Sequence, residues 1–180
     1  MERTAQLFVA TTQMLDLAVM ADYGLDEADV KELKNLPQAQ VEFAYLADVT
    51  IKDSYQAVRI FSQTDKISQY ELVSGRLPQK ESEIALATSL QKDYKIGDTI
   101  TFTLGQDSPL KAETFTITGF VHSSEIWDQT SIGQTTVGTG ELTAYAVTSP
   151  QAFDSEVYML ARIRYTDLAE ELSLILIYEP

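Results

Sequence analysis

Residues 72–102, LVSGRLPQKESEIALATSLQKDYKIGDTITF, decide how the rest of the chain is read. They open on a turn at Gly75-Arg76-Leu77-Pro78, because glycine tolerates positive φ and proline presets a turn. A short apolar run follows at Ile84-Ala85-Leu86. The pattern then predicts a brief helix over about 88–94 and a tight turn at Gly97-Asp98. A strand leaves that turn with period two. Ile100, Phe102 and Leu104 share one face, and Thr99, Thr101 and Thr103 the other. These residues specify turns and strand faces and carry no chemistry of their own.

The spaced pattern Gly75-Arg76-x-Pro78, Glu83-Ile84-x-Leu86, Lys95-x-Gly97-Asp98-x-Ile100 resembles the extracytoplasmic domain of ABC-transporter permeases of the FtsX/MacB type, the MacB-like periplasmic core domain. The resemblance runs from about residue 16 to residue 165 and is strongest over 75–100. It implies an α+β fold: a porter-like lobe, with helices on one face of a mixed sheet, and a mainly-β lobe inserted within it. It also implies a non-catalytic domain held between two membrane helices, on the extracytoplasmic side of the cell membrane. In such permeases ATP-driven movement of the helices carries the outer domain along, which drives substrate export or controls an extracellular partner. The implied partners are a cognate ABC ATPase subunit, a second permease copy, and a substrate or extracellular protein. The mechanical element would be the two chain ends, residues 1–14 and 167–180, which should lie close together. The chain has no obvious large insertion for docking a partner.

Upstream of that stretch, residues 4–14 are mildly helical. Leu15, Leu17, Val19, Ala21 and Tyr23 then alternate with Asp16, Ala18, Met20 and Asp22, which predicts a strand with one buried face. Gly24 ends it, and Asp26 is placed to cap a helix. Leu25 and Val30 have the spacing of a hydrophobic staple, and Val30, Leu33 and Leu36 form an apolar stripe before Pro37. One long strand is expected over 41–51, turning at Lys52-Asp53-Ser54 into a partner at about 56–62.

Downstream, 105–111 reads as a loop, and 114–121 returns to pair with 99–104 as a hairpin. Gly119 marks a bulge or a close backbone approach. Residues 122–141, HSSEIWDQTSIGQTTVGTGE, lack a clear period, and a loop of that length is mobile or functional. Strands are expected at 142–148 and 157–165, and Asp167 with Glu170 suggests a second helix. The segments divide into an α+β lobe, 1–64 with 154–180, and an inserted β-rich lobe, 65–153.

The totals narrow the function. The 180 residues suit one domain or two small lobes, and 44% are apolar, enough for a real core. Thirteen basic against 27 acidic residues leave a formal charge of −14. Such a surface repels phosphate backbones and anionic lipid head groups, so nucleic-acid binding is rejected, while a cationic partner is permitted. There are no cysteines, which excludes disulfides, thiolate metal sites and cysteine nucleophiles. No run approaches the roughly 18 apolar residues of a membrane helix, and Thr11, Thr12 and Gln13 interrupt any signal-peptide core. The chain is either a complete cytosolic protein or an excised piece; the resemblance favours the piece.

No cofactor or metal is expected, and no catalytic residue. The single histidine, His122, adjoins Ser123 and Ser124, but no Gly-x-Ser-x-Gly supports a nucleophile. Acidic groups such as Asp26, Glu27 and Asp29 suit a helix start. No calcium loop, Walker sequence or Gly-x-Gly-x-x-Gly is present. Trp127 either caps the β-rich lobe or anchors a contact, and Ile126 and Ile132 strengthen the second reading. These three are the expected partner or substrate contact. The alternative function is a secreted or surface-attached binding or adhesion domain that needs no ATPase. An enzyme would require His122 to meet both a serine and a carboxylate in one pocket.

Overall fold

A computed structural model describes residues 13–126 and 132–166. Ten strands run in the order β1 (Leu17–Leu25), β2 (Ala39–Ala44), β3 (Leu46–Ile51), β4 (Ala57–Ser62), β5 (Glu71–Gly75), β6 (Glu83–Ala87), β7 (Thr99–Thr103), β8 (Thr114–His122), β9 (Leu142–Thr148) and β10 (Tyr158–Tyr165). Among the described residues one α-helix, α1 (Glu27–Lys34), joins β1 to β2. The architecture is mixed α+β.

The strands form two sheets. The smaller is antiparallel, β1-β10-β2; the larger runs β5-β8-β6-β9-β4-β3-β7. Strand β7 also pairs with β8, which closes six strands into a ring and leaves β5 on the outside. Within the ring β4 lies parallel to β9, and β6 parallel to β8. Closure leaves these six strands without a long free edge.

Alternation then sorts the side chains. Val49, Ile60, Ile84, Leu86, Phe102, Phe115, Ile117, Ala144 and Ala146 fill the inside of the ring. Phe61, Ala85, Ala87, Tyr145 and Val147 point outward and meet Ala44 and Leu160 of the small sheet. Strand β6 is therefore buried on both faces, as strands covered on two sides are. Phe102 and Phe115 meet at 6.1 Å in a tilted pair.

Strand β8 organises the ring by changing partners along its length. Its first half pairs with β7, from Thr99↔Thr116 to Thr101↔Thr114. Its second half pairs with β5, from Glu71↔His122 to Gly75↔Gly119. At the change of partner the backbones nearly touch. Gly75 has φ +78°, and a Cβ there would stand 2.2 Å from the Thr118 carbonyl oxygen; one on Gly119 would stand 2.6 Å from that of Arg76. The expected close approach at Gly119 is present, with a register shift beside it. The hairpin of β7 and β8 is also present.

Helix α1 follows its expected start. The Asp26 carboxylate accepts from the N–H groups of Ala28 and Asp29 at 2.7 and 2.9 Å, and Asp29 returns the bond to the Asp26 N–H. Its stripe is only half buried, and no residue of the helix is fully buried.

Three local expectations are corrected. The single strand over 41–51 is broken at Tyr45, and its halves enter different sheets. The Tyr45 N–H donates to Ser62 Oγ at 2.9 Å, and its carbonyl accepts from the Ser62 N–H at 2.9 Å. Its ring stacks on Phe153 and lies 5.0 Å from Tyr158, so the residue serves both sheets. Consequently β3 and β4 hydrogen-bond with the strands of 65–153, and the sheet boundary falls at Tyr45. The helix over 88–94 is a single 3-10 turn, Thr88–Leu90, since one turn of helix gains little against its nucleation cost. Finally, the expected buried face of β1 is thin. Leu17 is 47% and Tyr23 98% exposed, because β1 is an edge strand whose register breaks between Met20 and Leu25. The expected helices over 4–14 and after Asp167 lie outside the described residues, apart from Gln13 and Met14.

Candidate functional site

Ile126 and Ile132 are brought to one place. Both are half buried and pack on the cluster between the sheets, beside Phe61, Tyr70 and Tyr145. Trp127, between them in sequence, lies outside the described residues. Both isoleucines therefore rest against the body of the protein.

Tyr145 supports this region from below. Its hydroxyl accepts from the Ser123 N–H at 2.8 Å and donates to the Val121 carbonyl at 3.3 Å. Burial pushes its phenol up, partly offset by the Ser123 N–H. Burial likewise pushes Tyr70 above the ordinary range, against the pull of nearby Arg162. In both cases burial favours the neutral phenol.

A cleft of about 770 Å³ is lined by parts of both sheets. Its floor is β3 and β4, at Leu46, Ala47, Asp48 and Arg59; Met20, Tyr23 and Met159 form one wall. Loops 105–109 and 134–137 close the others. Arg59 and Asp48, directly opposed across the ladder, make two bonds of 2.7 Å. Arg59 also donates to the Gln134 carbonyl at 3.4 Å, which ties the loop to the floor. The two floor charges satisfy one another, so the cleft presents mainly apolar surface with polar loop edges.

Other sequence candidates are dispersed. His122 ends β8, and its Nδ1 lies 3.3 Å from Thr88 Oγ1. Ser123 Oγ accepts from the Glu125 N–H at 3.1 Å, and Ser124 is fully buried. These contacts are local, and they do not assemble a nucleophile, base and orienting carboxylate. Among the described residues no group of three or more His, Asp or Glu is arranged to hold a metal ion.

No family model matches the chain, and no curated protein matches it. The structure is similar to the crystal structure of the extracellular domain of the noncanonic ABC-type transporter YknZ from Gram-positive bacteria. The match has a TM-score of 0.47 at 10% identity and covers 87% of this chain and 86% of that one.

The motifs in residues 75–100 are not a ligand site. Arg76 bonds Glu83, Asp98 accepts from the Lys95 N–H at 2.9 Å, and Gly97 and Asp98 exchange backbone bonds with Ile117. All three motifs converge on β8. Sequence reasoning missed the Asp48–Arg59 pair and the buried Arg162. Each is a charged residue inside an otherwise alternating strand, a pattern that reads equally well as a solvated face.

Proposed function

We propose that the chain is the extracytoplasmic domain of an ABC-transporter permease of the FtsX/MacB type. In this reading it performs no catalysis; it relays movement of membrane helices, driven by a separate ATPase subunit, to an exported substrate or an extracellular partner. The observation that carries the proposal is the position of the described residues nearest the two ends. The Asp16 N–H donates to the Ile163 carbonyl at 2.8 Å, and the Asp16 carboxylate accepts from the Tyr165 N–H at 2.7 Å. The Gln13 side-chain oxygen accepts from Arg164. Gln13 and Asp16 thus lie beside 163–165, as a domain set between two neighbouring helices requires. The small sheet is then the membrane-side lobe, and the ring of strands, cut from it at Tyr45, is the outer one. Ile126, Trp127 and Ile132 remain the proposed contact, with Trp127 as its anchor and the isoleucines as its supports.

A domain that binds a ligand on its own is the second reading, favoured by the cleft over Asp48 and Arg59. The chain's lack of cysteine provides a direct test. Tyr55 is 80% exposed, so Tyr55→Cys in the full-length protein offers a reactive thiol to a membrane-impermeant maleimide. Labelling of intact cells, in the membrane fraction and above the unsubstituted protein, supports the permease reading. Labelled protein shed into the medium supports the free binding domain. Labelling only after lysis overturns both.

A further inference from the structure

Arg162 lies in β10 of the small sheet, and its side chain is 0% exposed. Its Nε bonds Glu125 Oε1 at 2.5 Å and its Nη2 reaches Oε2 at 3.3 Å. The guanidinium carbon stands 5.5 Å from the centre of the Phe61 ring, on the outer face of β4. The charge thus crosses from one sheet to the other. Glu42, opposite Arg162 across the ladder, is committed elsewhere: it accepts the N–H groups of Asp65, Lys66 and Ile67. Glu125 is therefore the carboxylate bonded to the buried guanidinium, while Glu42 acts on it through its charge alone. It belongs to the exit from β8, next to Ile126.

We infer that Arg162 and Glu125 form a latch through which the position of β10 sets the position of the Ser123–Ile126 segment. The two partners differ in a way that gives the latch a direction. Glu125 is 18% exposed and can turn into water, whereas Arg162 has no such route. If β10 shifts, the carboxylate is the group that leaves, and the buried arginine is left with Phe61, Tyr70 and the unbonded charge of Glu42. Its Nη1 already lacks a hydrogen-bond partner among the described residues, as does the neighbouring Ser124 Oγ. A buried guanidinium that loses its bonded carboxylate is strongly disfavoured, so segment and strand move together. Strand β10 is also where the described residues nearest the two ends meet, since Ile163, Arg164 and Tyr165 hold Gln13 and Asp16. The latch joins that point to the Ser123–Ile126 segment. This coupling does not depend on a membrane setting.

The test is hydrogen exchange on the 180-residue chain and its Glu125→Gln, Arg162→Met and doubly substituted forms. Glu125→Gln should lower protection of the amides at 123–126 by roughly tenfold or more, with the ring strands β6 and β9 unchanged. Arg162→Met, a substitution in the other sheet, should loosen the same segment, and the double variant should be no looser than Arg162→Met alone. The inference is overturned if the segment keeps its protection in Glu125→Gln. It is equally overturned if protection falls uniformly through β6 and β9, which would make the pair an ordinary core contact. Should Arg162→Met not fold, Glu125→Asp replaces it. That form should partly restore the protection lost in Glu125→Gln, and failure to do so counts against the latch.

Discussion

The Arg76 guanidinium grips the Glu83 carboxylate at two points, Nη1 to Oε2 at 2.7 Å and Nη2 to Oε1 at 2.6 Å. The same carboxylate accepts the Gln79 and Lys80 N–H groups at 2.9 and 3.3 Å. The turn that opens the Gly-Arg-x-Pro motif is thereby fastened to the strand that carries Glu-Ile-x-Leu. Two stretches that are separate in sequence are one structural unit.

This clamp makes stability depend on pH. Arg76, followed by the Gln79 N–H, lowers the Glu83 carboxyl from its ordinary 4.5 to about 2. The unfolded chain takes up this proton near 4.5 and the folded chain only near 2, so the clamp's contribution is complete above that window and is lost as pH falls through it. Arg76 is 48% exposed, so solvent screens the pair and the effect is modest. Denaturation midpoints of the unsubstituted chain and Glu83→Gln should differ at pH 7 and converge near pH 2. A gap of the same size at both would mean that the ionised carboxylate is not what holds the turn.

The glycines at the β5–β8 crossing can be separated from an ordinary turn glycine. Gly97 has φ +95° with nothing near its missing Cβ, whereas Gly75 is both left-handed and crowded by Thr118 and Gly119. Gly97→Ala should cost the roughly 1–2 kcal/mol of a left-handed backbone. Gly75→Ala should cost clearly more, because backbone atoms must move apart. Equal losses in urea midpoint would show that crowding at the crossing is unimportant.

Ser62→Ala should cost about 1–3 kcal/mol. Ser62 is 2% exposed and its hydroxyl accepts the Tyr45 N–H at the point where the chain changes sheets. Removing it leaves that donor without its partner. Exchange of the Tyr45 amide should quicken together with the fall in stability, and an unchanged amide would count against this role.

Asp26→Ala removes the cap of α1 and should cost about 1 kcal/mol. No residue of that helix is fully buried, so the loss should appear as faster exchange at Ala28 and Asp29, with the ring strands unaffected. Global unfolding in parallel with the helix would indicate that α1 is more deeply integrated than its burial suggests.

A large part of the fold is legible in the residues. The cap at Asp26, the hairpin of β7 and β8, the close approach at Gly119 and the strands at 142–148 and 158–165 all follow from local pattern. Local pattern misleads where one segment serves two environments. Residues 41–51 alternate without interruption, yet the chain bends at Tyr45 because Ser62, Phe153 and Tyr158 receive it there. Tyr23 has the periodicity of a core residue and is 98% exposed, because its strand lies at an edge. For the candidate site, Ile126 and Ile132 could be singled out in the sequence, but not the surface on which they rest.

The sequence by itself determines the local elements: strand faces from period two, turns from Gly, Pro and Asp, and a helix start from a capping carboxylate. Each depends on interactions within a few residues. Only the tertiary structure decides the closure of six strands into a ring, the change of partner along β8, and the burial of Arg162 beside Glu125. Those depend on which distant strands meet. An arginine between Ala161 and Ile163 reads the same whether the face it occupies meets water or a second sheet.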